Sequence, residues 1–283
     1  MIKRIAVAIG GLGLLFILLV FGKIESPKPG SPDVVQSKPS FKVDEVIKKE
    51  KQKLSPQQLI YVSKLENNIS RGDLKKQEGN QYSSLASFWK DSAQVFIPYA
   101  YYLSEAAKLD NSEKNLTFAA RLILENMRRE ENVAKKTWEA ETAASLFEKA
   151  IQLDPDNDDL KVGLGSCYVY GQGMAGDPQQ TMKGIQQLLQ VVRKDSNNMQ
   201  AQMVLGIGAV ISGQTDKAVD RLKKVVAFDP HNLEAVSWLA DAYAALGDKE
   251  NAIKWYGQSK HLVNNPEYSK EVDERIKALS SPH

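Results

Sequence analysis

One cysteine, Cys167, and three histidines, His231, His261 and His283, are the only thiol and imidazole groups in 283 residues. A single cysteine excludes an internal disulfide, and ligands so few and so scattered exclude a zinc or iron site. Charge of one sign is also missing, since 37 Lys and Arg stand against 35 Asp and Glu. That balance lacks the basic excess with which nucleic-acid-binding proteins neutralise phosphates, so nucleic acid is not an expected partner. No histidine has an evident nucleophile or carboxylate to work with, and Cys167 falls on the apolar stripe of its helix with Leu164 and Tyr168. No catalytic residue, metal, cofactor or small-molecule substrate is therefore expected.

Gly171-Gln172-Gly173-Met174-Ala175-Gly176 matches the dinucleotide-binding fingerprint letter for letter, but it follows a helical stretch rather than a strand and has no parallel-sheet unit around it. It is expected instead to be an extra loop projecting from one edge of the fold.

Long apolar runs are scarce too, with one exception. Ile5 to Gly22 contains no charged or polar side chain, which at the rise of an α-helix spans about 27 Å of hydrocarbon. Lys3 and Arg4 precede the run, while Lys23 and Glu25 follow it, an arrangement that keeps the N-terminus cytoplasmic and places the rest outside. Residues 1–22 are thus expected to be a transmembrane anchor. A cleaved signal peptide is the rival reading, although its apolar core would be shorter. Residues 23–42 carry Pro27, Pro29, Gly30, Pro32 and Pro39 among serines and lysines, the composition of an extended spacer.

Beyond the spacer the chain reads as helix. Residues 43–135 have a helix start at Ser55-Pro56 and a break at Gly72-Asp73. Between Tyr82 and Tyr102 the aromatics Phe88, Trp89, Phe96, Tyr99 and Tyr101 crowd together. They are expected to pack between irregular helix pairs, with an exposed recognition surface as the alternative. A weak helix pair can be laid over Tyr99, Tyr102, Leu103, the Asp110-Asn111 turn and Ala119.

The second half repeats itself. Leu205-Gly206 is matched 34 residues on by Leu239-Ala240, Ala218 by Ala252, Leu222 by Tyr256, and Gly213-Gln-Thr-Asp-Lys-Ala218 by Gly247-Asp-Lys-Glu-Asn-Ala252. One unit earlier, Leu164-Gly165 and Tyr168 begin the same pattern, but Gly184, Leu188 and Val191 arrive seven residues late. Earlier still, Ala143, Phe147, Ala150 and Asp154-Pro155-Asp156-Asn157 form the closing half of another unit. Such pairs cannot bury their apolar faces alone, so neighbours must stack and the end must be covered. Glu267 to Ser280, with Tyr268, Val272, Ile276 and Leu279 on one stripe among charged residues, is the expected capping helix within 267–283.

These residues resemble the tetratricopeptide repeat, with its Leu-Gly pair, aromatic, short turn, alanines and closing proline, over residues 136–266. The resemblance implies an all-α fold, a right-handed superhelical array of antiparallel helix pairs whose first helices line a concave groove. It places Val162, Ser166, Val169 and Tyr170, then Gln200, Met203, Ile207 and Val210, then Glu234, Ser237 and Asp241 on that inner surface. None is basic, so a groove apolar in its middle and acidic toward Glu234 and Asp241 is expected. It suits a protein or peptide partner presenting an amphipathic or extended segment with a few basic residues. The chain's own first-half helices folding back into the groove is the competing expectation.

The expected function is that of a non-enzymatic, membrane-tethered scaffold, periplasmic at a bacterial inner membrane, resembling assembly or chaperone subunits of that layout. A self-associating structural component is the alternative, and an enzyme the reading with least support.

Overall fold

The computed structural model describes residues 41–70, 75–173 and 178–281. The expected anchor and most of the spacer lie outside the described residues. Among the described residues there are thirteen α-helices and no strand, and no helix is long and apolar enough to cross a membrane. The first six are α1 (Val43–Lys51), α2 (Pro56–Ser70), α3 (Lys75–Ser87), α4 (Phe96–Asp110), α5 (Glu113–Met127) and α6 (Val133–Leu153). They are followed by α7 (Asp158–Ser166), α8 (Pro178–Lys194), α9 (Met199–Ile211), α10 (Thr215–Phe228), α11 (Leu233–Leu246), α12 (Lys249–Leu262) and α13 (Pro266–Ser280). Single π-helical turns extend α3 over Phe88–Ser92 and α7 over Cys167–Gly173.

The repeat period is set by caps and turns. Asn157, Asn198, Asn232 and Asn265 each accept a backbone N–H in the first turn of α7, α9, α11 and α13, stabilising each start by about 1 kcal/mol. Between the helices of a pair, Gly213 and Gly247 take positive φ of 72° and 83°, closing α9 and α11 with left-handed residues that a side chain would disfavour. Ser55 and Gln58 exchange backbone-to-side-chain bonds of 3.0 and 3.3 Å, which starts α2 where the Ser-Pro pair predicts.

Helices pack in chain order. The tight antiparallel pairs are α3 with α4, α5 with α6, α9 with α10 and α11 with α12, and α7 with its π turn pairs with α8. First helices also touch one another, α5 to α7, α7 to α9 and α9 to α11. The first half therefore stacks as a continuation of the array and does not fold back across it. It does so in a frame one helix away from the weak pattern over Tyr99 to Ala119: α5 opens a pair with α6 and does not close one with α4. Phe88, Trp89, Tyr99 and Tyr102 are buried with Ile47, Val62 and Leu85, so this aromatic cluster is core.

The core runs through both sides of each pair. Phe147, Leu160, Leu164 and Cys167 fill the α5–α7 layer, and Leu188, Val191, Leu205, Leu222 and Leu239 fill the next layers. Burial pushes the Cys167 thiol well above its ordinary pKa, as suits an inert core side chain. At the far end Val272 is buried against Ala240, Ala252 and Tyr256, with Tyr268, Ile276 and Leu279 packed around it, so α13 covers the last pair.

The glycine cluster is not a projecting loop where it is described. Gly171 and Gly173 lie in the buried π turn, Gly171 against Ala140 of α6 and Gly173 against Thr181 of α8. An extra residue in a helical turn widens it to π geometry, so part of the seven-residue insertion is absorbed inside the helix.

A Cβ on Gly184 would stand 2.9 Å from the Gly165 carbonyl oxygen and 2.8 Å from the Tyr168 Cβ, whereas one on Gly257 would meet nothing within 4 Å. Both glycines are helical, so alanine gains roughly 1 kcal/mol of propensity at each. At Gly184 the backbone clash outweighs that gain. Denaturant melts should show Gly184→Ala destabilised by about 1–2 kcal/mol and Gly257→Ala stabilised by about 0.5–1 kcal/mol.

Glu139 on α6 is fully buried; one carboxylate oxygen accepts from the Asn126 amide at 2.9 Å and the other has no hydrogen-bond partner. Burial pushes its pKa up to about 7, with Asn126 drawing it part of the way back. Between about pH 5 and 7 the folded state holds a proton that the unfolded chain has released, so stability falls as pH rises through that window. Glu139→Gln should remove this slope and exceed the natural protein's stability by about 2 kcal/mol at pH 8, read from unfolding midpoints across pH.

Candidate partner groove

The first helices α5, α7, α9 and α11 converge on a cleft of about 560 Å³. Leu124 and Arg128 come from the end of α5, Val162 and Ser166 from α7, Tyr170 from its π turn, Met199, Gln200 and Met203 from α9, and Glu234 from α11. Phe228, at the end of α10, stands at the rim with 73% of its surface exposed. Asparagine caps fix where α7, α9 and α11 begin, and that fixes which residues of each helix face inward.

The expected inner-surface residues divide into three groups. Val162, Ser166, Tyr170, Gln200, Met203 and Glu234 line the cleft together. Val169 and Ile207 have no exposed surface and belong to the packing between units, while Val210 is partly buried against the same core. Ser237 and Asp241 sit under the capping helix: Ser237 shares a 2.7 Å hydroxyl hydrogen bond with Tyr268, and Asp241 accepts from Arg275 at 2.8 Å and from Tyr256 at 2.5 Å.

The expected acidity of the groove is largely satisfied from within the chain. Arg128 donates to one oxygen of Glu234, and the Tyr170 hydroxyl donates to the other at 3.0 Å. The Arg128 guanidinium also lies over the Tyr170 ring, 5.0 Å from its centroid. Desolvation weakens the Arg128 charge, but the Tyr170 and Glu234 contacts more than offset it and the pKa is raised. Burial, then Glu234, pushes the Tyr170 phenol well above its ordinary value, so it remains a donor. Asp241 is paired in the same way by Arg275, so neither carboxylate is the free charge that the inner-surface sequence implies.

Arg121, Leu124, Glu125, Arg128 and Phe228 are cleft residues that the inner-surface assignment omits. Four of them recur at three- and four-residue spacing along α5, the face of a first helix. The signal was present in the closing half at Ala143 to Ala150, which requires an opening helix before α6, and α5 is that helix.

Residues 209–270 match the tetratricopeptide repeat family model. Across 117 residues the chain is 26% identical to the BBSome complex member BBS4 of Bos taurus, a stretch covering 41% of this chain and 21% of that relative, so it spans about a fifth of the relative's length. Among solved structures, TTC0263, a thermophilic TPR protein of Thermus thermophilus, superposes with a TM-score of 0.50 at 16% identity, over 71% of this chain and 98% of the other. YrrB, described as a TPR protein with an unusual peptide-binding site, gives 0.45 at 17% identity over 74% and 97%. The fold is that of a tetratricopeptide-type helical solenoid.

Arg128 and Glu234 are 106 residues apart in sequence, in units three apart, so their bond braces the array across its inner face. Both are about one-third exposed, which limits the pair. A double-mutant cycle with Arg128→Ala and Glu234→Ala should give a coupling of roughly 0.5–1 kcal/mol in unfolding free energy, shrinking as salt is raised toward 1 M.

Proposed function

We propose that this chain is a non-enzymatic scaffold that holds a partner protein in the cleft between α5 and α11. The observation that carries this reading is the composition of the cleft. Met203, Leu124 and Val162 give it an apolar floor, exposed Gln200 and Phe228 flank its mouth, and its charged lining has four carboxylates against two guanidiniums. That surface favours an amphipathic or extended segment whose apolar side chains are accompanied by basic ones. The solenoid supports the reading by presenting the site on rigid helices.

The scaffold is tethered. Ile5 to Gly22 supplies an apolar segment of spanning length, and the proline-rich stretch after it separates that segment from α1. The charge order around the segment supports a cytoplasmic N-terminus and a periplasmic array at a bacterial inner membrane. Tethering raises the effective concentration of a captured partner beside membrane machinery, as an assembly or chaperone subunit requires.

Crosslinking pull-down from washed native membranes tests both parts. The intact chain should stay in the membrane fraction and capture one partner, and removal of residues 1–22 should release it from that fraction. Gln200→Lys with Phe228→Lys should cut capture about tenfold while circular dichroism shows an unchanged helical fold. Capture that survives the double substitution places the partner elsewhere and ends the groove reading.

A further inference from the structure

The contact that braces the groove joins a buried tyrosine to two partly exposed charges. Tyr170 is held by the π turn packed between α6 and α8 and is 7% exposed, and Glu234 lies in the first turn of α11 just after the Asn232 cap. Arg128 follows the last residue of α5 and reaches both through a long, flexible side chain. A second carboxylate, Glu125, lies 3.9 Å from the same guanidinium one helical turn back. Glu125 also accepts from Arg129 at 2.8 Å, so Arg128 can leave Glu234 and remain beside a carboxylate that the two arginines share.

An aromatic face beside a carboxylate is the chemistry that recognises a guanidinium or ammonium group. We infer that Tyr170 and Glu234 form a cation-recognition subsite of the cleft, which Arg128 occupies as an internal stand-in until an arginine or lysine of the partner displaces it. This rests on the proposal that the cleft receives a partner segment, and it specifies that segment: a basic residue flanked by apolar side chains. The cation takes the place of Arg128 over the ring, and the flanks reach Met203 and Phe228. The excess of carboxylates in the lining favours a second positive charge entering the cleft while Arg128 retires to Glu125.

The probes are N-acetyl-arginine amide and its uncharged isostere N-acetyl-citrulline amide. They are titrated into the detergent-solubilised full chain with ring-labelled tyrosine, the Tyr170 resonance being identified by Tyr170→Phe. Arg128→Ala empties the subsite, so the arginine probe should shift Tyr170 saturably in this variant, about tenfold more tightly than the citrulline probe and about tenfold more tightly than in the natural protein. Arg128→Ala with Glu234→Gln should lose the preference for arginine. Equal response to both probes in Arg128→Ala, or no shift of Tyr170, overturns the inference. Should Arg128→Ala not fold, Arg128→Gln, which keeps the aliphatic stem but not the charge, takes its place with the same expectations. The probe experiment does not need the natural partner. A negative result beside partner capture lost in Gln200→Lys/Phe228→Lys removes the subsite and leaves the groove, whereas a positive result beside unchanged capture does the reverse.

Discussion

Every helix pair in this chain carries apolar residues on two flanks, and a pair can bury only one of them within itself. The other must meet a neighbour. From that constraint follow the stacking of α5 through α12 in chain order, the small residues where helices cross, and the amphipathic α13 that ends the series with Val272 inward and charges outward. The close crossing in turn sets the geometry of the inner face. At the crossing of α7 and α8, Gly184 lies against the Gly165 carbonyl with no room for a side chain of its own, and Leu188 of α8 fills the space over Gly165.

What the sequence makes legible is whatever recurs. The 34-residue offset identifies α9 to α12 because caps, left-handed glycines and crossing residues all repeat, and each has a local physical cause that is written in one or two residues. The capping helix is legible for the same reason, since its single apolar stripe is a local pattern. The frame of the first half is not. Its helices pack through Phe88, Trp89, Tyr99 and Tyr102, large aromatics that do not recur at a 34-residue offset. The π turn at Cys167–Gly173 escapes for another reason: a widened turn costs one residue of register and leaves no composition signal, so an insertion absorbed inside a helix looks like a loop.

The candidate site was legible as a face but not as a charge distribution. Counting charges along α7, α9 and α11 leaves Glu234 and Asp241 without partners, yet the superhelix brings counterions from outside those helices, Arg128 from the unit before them and Arg275 from the cap after them. In a solenoid the electrostatics of the inner face is thus a property of units far apart in sequence, which no single repeat displays.

Such internal pairing changes what binding at the groove means. A ligand cation that meets a free carboxylate gains a whole ion pair, but one that meets Glu234 replaces an existing pair, and only the difference between two similar contacts remains. Because Arg128 can transfer to Glu125, that difference need not be unfavourable. Neither is it large enough to select a partner alone. Selection then falls to the side chains flanking the cation, whose burial on Met203 and Phe228 has no internal counterpart to displace. The brace accordingly filters out free cations, which offer exchange without burial, and admits segments in which charge and apolar surface arrive together.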